Sequence, residues 1–185
     1  MAARDEQRPG IRPRPSLGRR LDLIARHSFP ATSTALLMLA CGLPFGIADQ
    51  AELLPAVTVC CVYFWSLFRP TALPPPVVFL LGLLLDLAGY LPIGVGALSL
   101  LILHGFVVRG RRTLAQQGFI LVWLVLACLG GGTACLIWAL TSLLSLHLMP
   151  TGPALFQVAL TAALYPALAM LLTTAHRTLA APERL

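Results

Sequence analysis

Residues 79–98 read FLLGLLLDLAGYLPIGVGAL and are the most informative part of this chain. They place one acid, Asp86, inside an otherwise apolar run, and glycine and proline follow it at short intervals. Proline ends helices and glycine permits a tight turn, so Gly89, Pro92 and Gly94 favour two helices here over one long helix. The stretch therefore predicts a helical hairpin that carries a buried carboxylate.

The composition of the chain around this hairpin is that of a membrane protein. Of its 185 residues, 58% are apolar and only 11% are charged, and its mean hydropathy is +0.85. An ordinary globular domain is about 45–50% apolar and roughly one-quarter charged. A soluble fold, a disordered chain and a disulfide-stapled module are all excluded. Because lipid cannot hydrogen-bond a backbone, the apolar runs predict an all-α polytopic membrane protein.

Six apolar segments are predicted to be transmembrane helices. They cover residues 29–48, 53–68, 77–91, 93–108, 119–146 and 154–175. Together they form one predicted transmembrane domain, 29–175, between a basic Arg/Pro-rich tail, 1–28, and a short tail, 176–185. Apolar residues at helical spacing in the second half of the first tail fit either a short interfacial helix or a solvated linker.

The basic residues predict the orientation of these segments. All 13 are arginine. If the N-terminus is cytoplasmic and six helices alternate, every arginine falls on the cytoplasmic side, in the two tails, at Arg69, or in a loop with Arg109, Arg111 and Arg112. This bias predicts six spans with both termini cytoplasmic. Orientation and contact with anionic lipid account for the arginines, so nucleic acid is not an expected partner.

Asp86 is the residue whose chemistry most needs an explanation. An acid inside a membrane costs about 2.5–3.5 kcal/mol on insertion scales, so it needs a partner or a watery pocket. Candidate partners are Tyr90, one turn on, and the N–H groups that begin the following helix, which favour an anion. Three roles stay open: a structural lock on the hairpin, part of a subunit contact or polar cavity, and a proton carrier or catalytic acid.

The sequence predicts a protein that is not an enzyme and needs no cofactor or metal. It lacks a second intramembrane acid, a Gly-x-Ser-Gly string, an HExxH string and a P-loop, and its five cysteines have no ligand spacing. His104 and His147, near opposite ends of their helices, are expected in interfacial packing.

Small residues predict two places where helices meet closely. Ala31 and Ala35 are spaced one turn apart in the first segment. Three consecutive glycines, Gly130–Gly132, lie inside the fifth segment, where each costs about 1 kcal/mol relative to alanine. They predict a kink or a close helix crossing.

The hairpin resembles the signature of the MreD family, the rod shape-determining membrane proteins of bacteria. The family pattern is Gly-Leu-x-x-Asp-x-x-x-Gly-x-Pro-x-Gly-x-x-Ala-Leu, and the corresponding residues are Gly82, Leu83, Asp86, Gly89, Pro92, Gly94, Ala97 and Leu98. Gly89 stands one residue earlier than in that pattern. Residues 63–70, YFWSLFRP, also resemble the aromatic tract that precedes the signature in the family.

The resemblance implies a non-catalytic subunit of the cell-elongation complex in the bacterial inner membrane. Its implied partners are MreC, MreB, and RodA with its penicillin-binding transpeptidase, and no small-molecule substrate is expected. The implied bundle is similar to the S components of energy-coupling-factor transporters. The residues expected to shape the fold or meet a partner are Gly82, Asp86, Gly89, Pro92, Gly94 and Ala97.

An importer is the alternative function. In that case the chain would be an S-component-like subunit that binds a small molecule, and Ala31 and Ala35 would offer the small-residue face that such subunits carry on their first helix. It would also need a polar pocket open to the outside, whereas the predicted outer segments are very short.

Overall fold

The structure, a computed structural model, describes the backbone of residues 17–42 and 50–180 and the side chains of residues 28–42 and 51–174. All regular secondary structure in this part of the chain is helical, as predicted. The helices are α1 (Leu17–Gly42), α2 (Gln50–Phe68), α3 (Pro75–Ala88), α4 (Val95–Leu114), α5 (Phe119–Leu144) and α6 (Gly152–Ala180), and a 3-10 turn, Pro70–Ala72, links α2 to α3.

Successive helices run in opposite directions, so the bundle has two distinct ends. At one end, which we call the Phe68 end, the last turn of α2 lies beside the end of α4 and the beginning of α5. At the other, the Glu52 end, the first turns of α2 and α6 lie beside the end of α5 and the α3–α4 loop. α1 follows the same alternation, because Phe29 near its middle contacts Trp65 near the end of α2, with ring centroids 5.9 Å apart.

Helix α2 is the centre of the bundle. Of its Ala51–Phe68 span, 78% is buried, against 33% for the corresponding spans of α5 and α6. It packs against α1, α4 and α6, and its large side chains Tyr63, Phe64 and Trp65 form much of the core. The Tyr63 hydroxyl donates a hydrogen bond of 2.8 Å to the Val122 carbonyl on α5, so even the polar tip of this aromatic side chain is satisfied inside the bundle.

Within the described residues, three helices are long and apolar enough to cross a membrane, which gives the chain the character of a membrane protein. Their spans are Ala51–Phe68, Phe119–Leu144 and Gly152–Thr174. The apolar parts of α1 and α3, Ser28–Gly42 and Pro75–Ala88, are shorter. α3, with 14 residues, ends where the Gly/Pro-rich turn begins.

Several helix limits differ from the predicted segments. α1 begins at Leu17 and continues without a break through the second half of the predicted tail, and α6 extends to Ala180. α3 ends at Ala88 and α4 begins only at Val95, so the connecting turn is longer than predicted. Polar residues interrupt an apolar segment of the sequence but do not interrupt the backbone hydrogen bonds of a helix. The helices α1 and α6 therefore extend beyond their predicted apolar segments. Residues 1–16, 43–49 and 181–185, with the predictions made for them, lie outside the described residues.

The glycine run in α5 marks a close crossing with α6. α5 stays helical through it. A Cβ added at Gly130 would lie 3.2 Å from Thr161 Cγ2 on α6, whereas one added at Gly132 would meet nothing within 4 Å. Of the predicted alternatives, the crossing is therefore the one observed, and Gly130 is the residue that makes it.

We expect Gly130→Val to destabilise the bundle and Gly132→Val to be tolerated. Valine at 130 forces α5 away from α6, and such overpacking costs about 1–3 kcal/mol. Valine at 132 faces open space and is a slightly better helix former than glycine. The midpoint of thermal unfolding of the purified chain in one detergent measures both. Equal midpoints for the two variants would contradict the assigned crossing.

Candidate functional site

The carboxylate of Asp86 binds the first turn of α4. Asp86 lies near the end of α3 and is 1% exposed. Its Oδ2 accepts a hydrogen bond of 2.8 Å from the Gly94 N–H, and its Oδ1 accepts one of 2.6 Å from the Gly96 N–H. The Ala97 N–H adds a longer contact of 3.4 Å to Oδ2. The N–H groups that begin a helix have no partner within it, so the carboxylate supplies what α4 lacks.

The backbone at the start of α4 has the shape that this contact requires. Gly94 is the residue before the first helical turn and has φ +101°, a left-handed conformation that glycine adopts without strain. A Cβ at Gly96 would lie 2.5 Å from Asp86 Oδ1, so only glycine leaves room for the carboxylate there. Glycine at these two positions is thus a condition of the hydrogen bonds.

Helices α3 and α4 also touch backbone to backbone. A Cβ at Gly82 would lie 2.3 Å from the Cα of Ala97, a distance that no real side chain tolerates. Four of the predicted residues, Gly82, Asp86, Gly94 and Ala97, are therefore brought together in one contact. We call this contact, with Gly96, the hairpin lock.

The other two predicted residues shape the turn and do not touch the carboxylate. Gly89 ends α3, and its N–H donates a hydrogen bond of 2.8 Å to the Leu85 carbonyl. The Pro92 carbonyl accepts a hydrogen bond of 3.1 Å from the Val95 N–H and so leads the chain into α4. Tyr90, a predicted partner of Asp86, is 96% exposed and has φ +54°, so its side chain points away from the lock.

This geometry supports the structural role for Asp86. Both carboxylate oxygens are engaged by backbone donors, and the residue is almost completely buried. The cavity that is lined by its neighbours Leu85 and Gly89 does not have Asp86 in its lining. A carboxylate held in this way ties two helices together at a fixed angle.

The three arginines predicted to form a basic loop lie on a helix. α4 continues to Leu114, so Arg109, Arg111 and Arg112 occupy its last two turns, and the prediction of a loop for them is wrong. Arginine has good helix propensity and a long side chain that can leave an apolar layer while its backbone stays helical. Arg109 and Arg112 are exposed. These residues and Arg69, which follows α2, all lie at the Phe68 end.

One buried polar pair was not predicted. Ser66 on α2 and His104 on α4 are both buried, and Ser66 Oγ lies 2.7 Å from His104 Nδ1. Interfacial packing was expected for His104, but the structure places it inside the bundle. The sequence does contain a signal for this pair. Ser66 lies shortly before Arg69 and His104 lies shortly before Arg109, so both side chains are expected at a similar distance from the same end of the bundle. His147, in contrast, is exposed in the α5–α6 connection, as expected.

A cavity at the Glu52 end was also missed by the sequence analysis. It has a volume of about 210 Å³, and Gln157 of α6 and Trp138 of α5 lie in its wall. A lone glutamine in an apolar helix carries no distinctive motif, so no sequence signal identified it. Among the described residues, no group of three His, Cys, Asp or Glu side chains could hold a metal ion.

Comparison with protein-family models gave no match, and comparisons with curated proteins and with solved structures gave none either. The chain is therefore characterised by its own geometry: an all-helical bundle of membrane-protein character, with a carboxylate that locks α3 to α4. The resemblance to the MreD signature rests on the residues of that hairpin.

We expect Asp86→Leu to destabilise the fold even though it removes an acid from an apolar interior. Removing the acid recovers about 2.5–3.5 kcal/mol. The two short bonds to the carboxylate are worth about 1.5–3 kcal/mol each, and their loss leaves two N–H groups without that acceptor. The free energy lost with the hydrogen bonds therefore exceeds the free energy gained by removing the acid. Asp86→Asn, which keeps an acceptor oxygen, should fall between the wild type and Asp86→Leu in thermal midpoint.

Leu87→Ala serves as the control, since it changes an exposed side chain of α3 outside the hairpin lock. A midpoint for Asp86→Leu equal to or above that of the wild type would show that the hairpin lock does not stabilise the bundle.

Proposed function

We propose that this chain is a non-catalytic integral membrane subunit of the bacterial cell-elongation complex, in which it scaffolds MreC and the lateral peptidoglycan synthesis machinery. The observation that carries the proposal is the hairpin lock. Residues that resemble the MreD signature, Gly82, Asp86, Gly94 and Ala97, contact one another there and fix the angle between two helices. A rigid helical surface is what a membrane scaffold needs.

The proposal includes an orientation with six spans and both termini in the cytoplasm. Arg69, Arg109, Arg111 and Arg112 lie at the Phe68 end, and Glu52 lies at the other. Positive residues favour the cytoplasmic side, so the Phe68 end faces the cytoplasm of the inner membrane. There the arginines meet anionic lipid headgroups, and MreB lies on this side. RodA and its transpeptidase are reached within the membrane.

The proposed docking surface for the transmembrane helix of MreC is the outer side of α3 and α1. Leu80 and Leu87 on α3 are 62% and 68% exposed, and Leu36 and Leu39 on the neighbouring α1 are also exposed. We call these four leucines the outer leucine face. The hairpin lock fixes the orientation of α3 and therefore the positions of Leu80 and Leu87. The residues of the lock are in this way linked to the proposed docking surface.

The importer alternative is less well supported by the packing of α1. Ala31 and Ala35 pack against the hydrophobic core of the bundle. Small residues that already contact the core are not available as a docking face for a second membrane subunit. The importer function stays an alternative that the same experiment tests.

The experiment is affinity purification of the tagged full-length chain, expressed at its natural level in its own host. We expect MreC to be recovered with the wild type, and Gly94→Val to lower recovery at least about tenfold, because valine is strained at φ +101° and α4 then cannot meet Asp86. Gly105→Val is the matched control, since a side chain on that glycine of α4 meets nothing within 4 Å. The same cells should be round with Gly94→Val and rod-shaped with Gly105→Val.

The double variant Leu80→Ala/Leu87→Ala separates docking from folding. Both leucines are exposed, so we expect the thermal midpoint to be unchanged and the recovery of MreC to fall. Unchanged recovery with Gly94→Val and with the double variant would overturn the scaffold function. Recovery of an ATPase pair and a transmembrane coupler in place of MreC would establish the importer.

A further inference from the structure

The cavity at the Glu52 end has the features of a site for a small molecule. It lies between the first turns of α2 and α6, the last turns of α5 and the turn after α3, and its volume is about 210 Å³. Most of its wall is apolar, with Pro55, Leu85, Ala134 and Ile137 among the residues that form it. Such a mostly apolar cavity with a few polar groups is the usual form of a small-molecule site.

One polar side chain of the wall is buried without a partner. Gln157 is 4% exposed, and its Nε2 makes no hydrogen bond with the described part of the chain. The buried Oγ1 of Thr141, another residue in the wall of this cavity, makes none with it either. The neighbouring Trp138 differs, because its Nε1 donates a hydrogen bond of 3.0 Å to the Met149 carbonyl. An unsatisfied buried donor destabilises the fold, and an acceptor brought by a ligand removes that cost.

The size and charge of the cavity restrict what it accepts. An apolar cavity of about 150 Å³ holds benzene, so this larger one accommodates a ring with a short substituent. Among the described residues that line it, Glu52 carries the only ionisable carboxylate and none is an arginine. An anion is therefore disfavoured. The amide N–H of Gln157 requires an acceptor and not a second donor.

We infer that this cavity binds an uncharged, mostly apolar small molecule through a hydrogen bond from Gln157 Nε2 to an oxygen acceptor of that molecule. Thr141 Oγ1 lies in the same wall and offers a second hydrogen bond. The ligand is bound without being transformed, and the inference does not depend on the proposed scaffold function. A chain that fails to bind MreC would still be expected to bind such a ligand, and the reverse also holds.

The test is fluorine NMR on the full-length chain labelled with 5-fluorotryptophan in lipid nanodiscs. The chain has 3 tryptophans, of which Trp138 lines the cavity and Trp65 and Trp123 do not. Three aromatic probes of nearly equal size are titrated: acetophenone, which carries a carbonyl acceptor; cumene, which has no polar group; and benzoate, which is an anion. Acetophenone should shift the Trp138 resonance saturably, with weaker binding of cumene and none of benzoate.

Two variants assign the effect to the cavity. Gln157→Met removes the donor at similar length and should weaken acetophenone binding about threefold to tenfold, the worth of one hydrogen bond, while leaving cumene binding unchanged. Ala134→Leu fills the cavity and should abolish binding of both probes. Gln116→Met, at an exposed glutamine outside the cavity, is the control and should bind as the wild type does.

Several results would overturn the inference. Equal affinity for cumene and acetophenone in the wild type would show that no acceptor is recognised, and this comparison needs no variant to fold. If all three tryptophan resonances shifted linearly with the concentration of the probe, the probe would only be partitioning into the bilayer. A Trp138 resonance that responds to lipid chain length, or to an added partner subunit, and to no probe would assign the cavity to that lipid or partner.

Discussion

The bundle depends on one hydrogen-bonded contact, that between the Asp86 carboxylate and the N–H groups that begin α4. Each side of this contact is costly alone, since a buried acid and a buried helix start without acceptors both lack the water that would satisfy them. Placed together they satisfy one another, with Gly94 and Gly96 giving the carboxylate room to approach. No part of the interaction needs solvent, and this is why an acid is stable at a position that is 1% exposed.

The lock also explains why α3 and α4 are so closely joined. Because Gly82 has no side chain, the Cα of Ala97 occupies the space where a Cβ would be. The Asp86 carboxylate holds the two helices at that distance. The remaining helices are held differently, through the large side chains of α2 and the small-residue crossing at Gly130. The buried Ser66–His104 pair adds a hydrogen-bonding contact between α2 and α4. Dispersion, hydrogen bonding and close backbone approach, and not the hydrophobic effect, hold helices together in lipid.

Sequence reasoning succeeded where a feature is local and failed where it depends on two helices. The α3–α4 break and a helix-start partner for Asp86 were predicted, because proline, glycine and a lone acid lie within a few residues of each other. The Ser66–His104 pair and the wall position of Gln157 depend on how distant helices face one another, which no single segment encodes. The loop predicted for Arg109, Arg111 and Arg112 was wrong because charge ends an apolar segment without ending a helix. For the second half of the predicted tail, a helix and a linker were the two alternatives, and the helix is the one observed, since α1 begins at Leu17.

The hairpin lock and the cavity share one structural element. Leu85 and Gly89 line the cavity, and Asp86 lies between them in sequence near the end of α3. Leu85 also accepts the hydrogen bond that ends the helix at Gly89, so the position of that wall is set by the same turn that leads to Gly94. A change in the angle between α3 and α4 therefore changes the shape of the cavity, and the outer leucine face on α3 moves with it. The motif that resembles a scaffold signature is thus the part of the fold that determines both surfaces.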